Sequence, residues 1–293
     1  MLIRTTAVLF VIVLGNAEPM LAQIRLRGLR NFENYLEQEA DRHLQTNEPK
    51  DQGTTFSASK LQKLRKRAAS ATEVPKDMPA GWSKSKVDPA KLVEVFAPLK
   101  LKKGIVLRAY HFKEGGNGNG VVWAMPADAA FPEPNQCPEV KRRDGFMMVP
   151  KPPAALDSIM EQIEGDNSAW SYMAASLLSR EFWEFGAMWH GTNWGTHRIL
   201  DGSPWKVGMF GSGDDPTSKP NTPEQDWKWL ESKPRHWRPR VLIDKDRVTV
   251  TFYTYSGYQN ETIYRHTDTY KPGSYRYESE RKEIAQGGKG FVF

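Results

Sequence analysis

Val248-Thr249-Val250-Thr251-Phe252-Tyr253-Thr254-Tyr255-Ser256 is followed, after a short break, by Ile263-Tyr264-Arg265-His266-Thr267-Asp268-Thr269-Tyr270. Side chains alternate between the two faces of a strand. Val248, Val250 and Phe252 therefore share one face of the first segment, and Thr249, Thr251, Tyr253 and Tyr255 share the other. In the second segment Tyr264, His266, Asp268 and Tyr270 fall together, opposite Ile263, Arg265, Thr267 and Thr269. The latter set makes a poor core, so the aromatic face is expected inside, and it carries His266 and Asp268 with it. Turn-forming residues at Asp244-Lys245-Asp246, Gly257 and Lys271-Pro272-Gly273 divide Arg240 to Tyr277 into an antiparallel meander.

Upstream, Gly104 to Phe112 and Gly120 to Met125 read as two further strands. Gly115-Gly116-Asn117-Gly118-Asn119-Gly120 lies between them, and Gly and Asn accept the positive φ of a hairpin turn. A phosphate-cradling loop would need a helix next, whereas Val121-Val122-Trp123 is a strand pattern. Pro126 to Pro153 reads as a surface excursion, and Leu156 to Glu164 as a short helix. Ser168 is placed to cap a longer helix, expected to run to about Trp189 and stop at Gly191. At 100° per residue Trp170, Ala174, Leu177, Leu178, Phe185 and Met188 form an apolar arc, with serines, Arg180 and Trp183 on the other side. The expected fold is α+β: an antiparallel sheet, built from the hairpin and the meander, packed against helices and preceded by an amphipathic helix and linker.

The N-terminus reads as an address. Arg4 precedes the apolar run Ala7 to Leu14, and Gly15, Ala17 and Ala22 follow as small residues suited to cleavage. The run is far below the ~20 apolar residues that span a bilayer. Residues 1–22 are therefore expected to be a signal peptide, and the protein to be exported, periplasmic or extracellular. Leu26, Leu29, Phe32, Leu36 and Ala40 recur at helical spacing from Ile24 to Leu44. Residues 23–86 are expected to be that helix followed by a basic, partly disordered linker, and residues 87–293 one α+β domain.

Composition narrows the function classes. Of 293 residues, 41 are Lys or Arg and 35 are Asp or Glu, giving +6. Lys60, Lys63, Arg65, Lys66 and Arg67 carry most of that excess, with no acidic residue and no aromatic stacking group among them. The run is expected to be a solvated arm able to touch an anionic surface peripherally, not a nucleic-acid site. A mean hydropathy of −0.62 excludes a polytopic membrane protein. The single cysteine, Cys137, excludes an intrachain disulfide and a multi-cysteine metal site.

Glu181 falls within the apolar arc of the long helix, so its carboxylate must be neutral or paired. Just beyond lies His190-Gly191-Thr192-Asn193-Trp194-Gly195-Thr196-His197, a polar loop held by a rigid helix. His190 and His197 lack the spacing of a metal motif, and no metal or cofactor is expected. No nucleophile motif is present: Gly211-Ser212-Gly213 lacks the flanking pattern of a nucleophile elbow. Two functional readings result. The first is an exported, non-catalytic protein that binds a ligand, glycan or partner through His190, Asn193, Trp194, His197, Tyr253 and Tyr264. The second is a hydrolase or lyase that uses Glu181 with His190 or His197 and a His266–Asp268 pair.

Overall fold

The computed structural model describes residues 53–75, 77–142, 147–189, 192–205 and 220–292. The expected signal peptide, the amphipathic helix from Ile24, and His190 lie outside the described residues. In chain order the elements open with β1 (Thr54–Thr55), α1 (Ala58–Ala71), β2 (Gly81–Lys84), α2 (Ala90–Val95) and β3 (Lys100–Leu101). The hairpin strands β4 (Ile105–Glu114) and β5 (Asn117–Pro126), and then β6 (Glu139–Lys141), β7 (Met148–Pro150) and β8 (Ile163–Glu164), lead to α3 (Ala169–Trp183). The chain continues through β9 (His197–Leu200), β10 (Lys228–Trp229), β11 (Arg240–Ile243), β12 (Val248–Ser256), β13 (Asn260–Tyr270) and β14 (Tyr277–Lys289).

The meander forms with the expected turns, each strand antiparallel to the next from β11 to β14. It runs on to Lys289, and β1, β9 and β10 join it to make a seven-stranded sheet. Pairing of Phe252 with His266 and of Val250 with Asp268 puts these four side chains on one face, and all are buried. The fold is therefore mostly antiparallel sheet with a few helices. The hairpin does not join the meander, a point the sequence pattern leaves open: β2, β4 and β5 form a three-stranded sheet of their own.

The separation follows from α3, which packs on β11 and β12 on one side and on β5 on the other. Every residue from Ser171 to Ser179 is buried, so the serine side opposite the apolar arc is a second packing surface. Its small side chains admit tyrosine hydroxyls from β13 and from the turn that follows it: Ser176 Oγ meets Tyr270 at 2.7 Å, and Ser171 Oγ meets Tyr275 at 2.7 Å. Buried hydroxyls satisfied in this way avoid the desolvation penalty that would otherwise forbid them there. At the helix start the Ser168 side chain accepts the Ser171 amide, as its capping position predicts.

The helix ends at Trp183 and not near Trp189. Gly186 takes φ +71°, and a Cβ there would lie 2.3 Å from His111 Cδ2. The chain then pairs with the hairpin through a bridge between Met188 and Gly118. Gly118 and Gly120 therefore sit within β5, and the turn itself is only Gly115-Gly116. Gly186→Ala is expected to destabilise the protein by about 2–3 kcal/mol, from left-handed strain plus overpacking. Gly116→Ala, where a Cβ meets nothing within 4 Å, should change little. Urea unfolding midpoints compare the two.

The basic run belongs to the domain, which corrects both the expected arm and the expected start at Val87. In α1, Ala58, Leu61, Leu64, Arg65 and Ala68 are buried, while Lys60, Lys63, Lys66 and Arg67 face outward. Further upstream, β1 pairs with β11, Thr54 opposite Val241. The i, i+3, i+4 spacing was present in the sequence, but the lysines and arginines that interrupt it disguised the apolar stripe. Arg65 accordingly drops out of the residues expected at an anionic surface. Among the described residues, no helix is long and apolar enough to cross a membrane.

Candidate functional site

Trp194 is the hub of the sequence-predicted set. It opens a short 3₁₀ turn between α3 and β9 and is buried. Its indole N–H donates to Glu181 Oε1 at 2.8 Å, and Arg65 Nε donates to the same oxygen at 3.0 Å. The guanidinium lies 3.9 Å from the indole centroid and donates to the carbonyls of Trp194 at 2.6 Å and His197 at 2.5 Å. Glu181 is thus paired, as burial required, and its partner is a structural arginine from α1.

His197 and His266 meet through Thr254. The hydroxyl oxygen is 2.8 Å from His197 Nδ1 and 2.9 Å from His266 Nε2. With a single proton the hydroxyl donates to one ring and accepts from the other, which ties the two tautomers together. Burial holds both histidines well below their ordinary range, with Arg65, Arg180 and Arg281 adding to the effect. His266 also stacks on Phe252 at 4.7 Å, and its Nδ1 has no partner.

The expected His266–Asp268 pair does not form. Alternate residues on a strand stand ~6.5 Å apart, too far for a direct bond unless the side chains turn toward each other. Asp268 turns instead to Arg180, with two bonds of 2.6 and 3.0 Å, and accepts from Ser279 Oγ at 2.6 Å. Asp268 is fully buried, and Arg180 also donates to the Ser176 carbonyl.

The ligand set divides. Tyr264 stands 5.0 Å from the His197 ring, on the α3 side of the sheet, under the Arg281 guanidinium. Tyr253 points to the opposite face, where Trp237, Trp229, Trp227 and Trp205 form a chain of ring contacts. There Glu261, itself fully buried, accepts the Tyr255 hydroxyl at 2.9 Å and the amides of Asn221 and Thr222. Asn193 is exposed, and its amide donates to Glu184. Burial pushes the Glu184 carboxyl up to about 7 against that hydrogen bond, and neighbouring Glu181 pushes in the same direction.

Sequence reasoning missed Arg65, Arg180 and Thr254. Arg65 was findable, since it shares a helical stripe with Leu61, Leu64 and Ala68. Arg180 and Thr254 gave no local signal, because their partners come from other elements.

A concave surface lies elsewhere. A cleft of about 1540 Å³ runs between β5, the β6–β7 hairpin, the end of α3 and the β13–β14 turn. Trp123, Phe182, Trp183, Tyr270 and Tyr277 line it, and Glu181, His197 and His266 do not. Arg142 borders the cleft, bonded to the Trp183 carbonyl at 2.9 Å with its guanidinium over the indole. Among the described residues, no group of three His, Cys, Asp or Glu side chains is placed to hold a metal ion. No family model, curated protein or solved structure matches the chain.

Proposed function

We propose that this is an exported, non-catalytic binding protein, periplasmic or extracellular, that receives a ligand, glycan or partner in the aromatic cleft beside α3. One observation carries the reading: the acids and histidines suited to catalysis are spent on each other and on arginines inside the core, away from the cleft. An acid or base must come within hydrogen-bond reach of its substrate, and Trp194 and Phe252 pack against the rings concerned.

The cleft wall mixes signs, with Arg247, Lys271 and Arg276 near Glu161, Asp246 and Glu278. That balance suits a polar ligand or a protein surface better than a polyanion, which selects for a uniformly basic groove. Arrays of oligosaccharides and of short peptides test the reading. At least one class should bind the full-length mature chain, and Tyr277→Ala should weaken that binding at least tenfold. Sequencing the mature protein should find Glu18 or Gln23 at its N-terminus. Turnover of ester, glycoside or peptide substrates that is lost in Glu181→Gln would overturn the proposal in favour of a hydrolase.

A further inference from the structure

We infer, building on the cleft as the binding site, that β5 offers its outer edge there to an extended peptide segment of a partner protein, which adds to the hairpin sheet as a fourth strand. Gly120, Val121, Val122 and Trp123 all border the cleft, and no residue of β4 does. Side chains alternate across a strand. Four consecutive residues therefore line one space when that space runs along the strand's edge, here the edge away from β4.

Register determines which groups that edge presents. In an antiparallel pair, the N–H and C=O of one residue point to the same side, and the next residue points to the other. On the side away from β4, the Gly118 carbonyl accepts the Met188 amide at 2.9 Å, and the Ala124 carbonyl accepts the Leu156 amide at 2.9 Å. Gly120 and Val122 lie between them in the same phase and point outward too. Gly120 is packed against the Phe185 carbonyl, where a Cβ would come within 2.5 Å. Among the described residues, nothing bonds the Val122 amide, the Val122 carbonyl or the Ala124 amide.

The two open strand edges beside the cleft are guarded differently. β10 covers β14 only at Ala285 and Gln286, and the uncovered stretch carries Glu278, Glu280, Arg281, Lys282 and Glu283, all exposed. Charges of this kind discourage pairing with another chain. Gly120 to Trp123 has no charge, no proline and no bulge. Its protection is depth, since Val122 is 6% exposed. A recessed edge excludes another folded sheet and admits one extended chain. A peptide backbone repeats donor and acceptor at strand spacing, as an unpaired edge requires, and sugar hydroxyls do not. Alternate side chains of the added strand would meet Trp123, Phe182 and Trp183.

The short-peptide array, applied to the full chain, supplies the probe: its tightest binder, resynthesised with one backbone N-methyl group at each position in turn. N-methylation of the residue opposite Val122 should weaken binding about tenfold or more, because the Val122 carbonyl then loses its donor. The residues on either side, whose N–H groups point away from the edge, should tolerate it within about twofold. Hydrogen exchange at the Val122 amide should slow about tenfold or more in the complex, while Val121 and Trp123, directed at β4, stay constant. A binder that tolerates N-methylation throughout, or that leaves Val122 exchange unchanged, overturns the inference, since side chains alone then hold it. Binding of oligosaccharides without any peptide also overturns it and leaves the cleft as a binding site. Binding of neither class overturns both.

Discussion

Asp268→Ala is expected to cost about 3–5 kcal/mol, the range for removing one partner of a buried ion pair. Asp268 is inaccessible to solvent, and both of its oxygens are bonded to the Arg180 guanidinium. Truncation leaves that guanidinium beneath Phe252 and Trp194 with only the Ser176 carbonyl and Ser279 hydroxyl to meet five N–H donors. Asp268→Asn should fall between, because it keeps the volume and one acceptor but loses the charge. The double variant Arg180→Met with Asp268→Leu should be far less damaged than the sum of its single changes, since no buried charge then lacks a partner. Urea unfolding of the wild type, Arg180→Met, Asp268→Leu and the double variant closes the cycle. A loss below about 1 kcal/mol in Asp268→Ala would mean that water reaches the pair. The same measurement separates the functional readings: a carboxylate that only orients a catalytic histidine would lose activity with little change in stability.

Much of the sheet was legible from local pattern. Period-two alternation from Val248 to Tyr270 predicts which face is buried, and His266 and Asp268 are inside as that pattern requires. Turn chemistry placed the breaks at Asp244–Asp246, Gly257 and Lys271–Gly273, and the Ser168 cap follows from its hydroxyl alone. What was not legible depends on partners distant in sequence. Nothing in Gly104 to Met125 says that α3 will separate the hairpin from the meander. Nothing in the serines of α3 says that Tyr270 and Tyr275 will bond them. The end of that helix was misjudged because apolar periodicity continues through Phe185 and Met188, while Gly186 breaks the backbone between them. The candidate site was half legible. Glu181, Trp194, His197 and His266 do gather, but the element that closes the gathering, α1 with Arg65, was hidden in a run of charge. Tyr253 was misassigned for a simpler reason: in the meander's register it lies on the opposite face from Tyr264.

Stability is expected to level off above about pH 7 and to fall steeply on the acid side, with histidines as the trigger. Burial lowers His111 to about 4 and holds His197 and His266 well below their ordinary value. A histidine whose folded pKa is depressed stabilises the fold fully above its unfolded pKa, and that stability is lost as pH falls toward the folded value. Each such site contributes a slope of ~1.4 kcal/mol per pH unit once the unfolded chain takes up its proton. Glu184 works in the opposite sense. Its folded pKa, about 7, lies above the ordinary carboxyl value of 4.5, so its contribution is present below 4.5 and is lost as pH rises through 7. Three proton-binding sites favour unfolding and one opposes it, so the net slope below pH 6 is ~3 kcal/mol per unit. Denaturant melts at half-unit steps from pH 8 to 4.5 measure it, and a midpoint that stays constant below pH 6.5 would refute it. His266→Gln keeps a polar atom near the Thr254 hydroxyl and removes one titration, so the acid limb should become shallower by about half. Glu184→Gln should instead make the acid limb steeper by about half, because the one site that opposes acid unfolding is then gone.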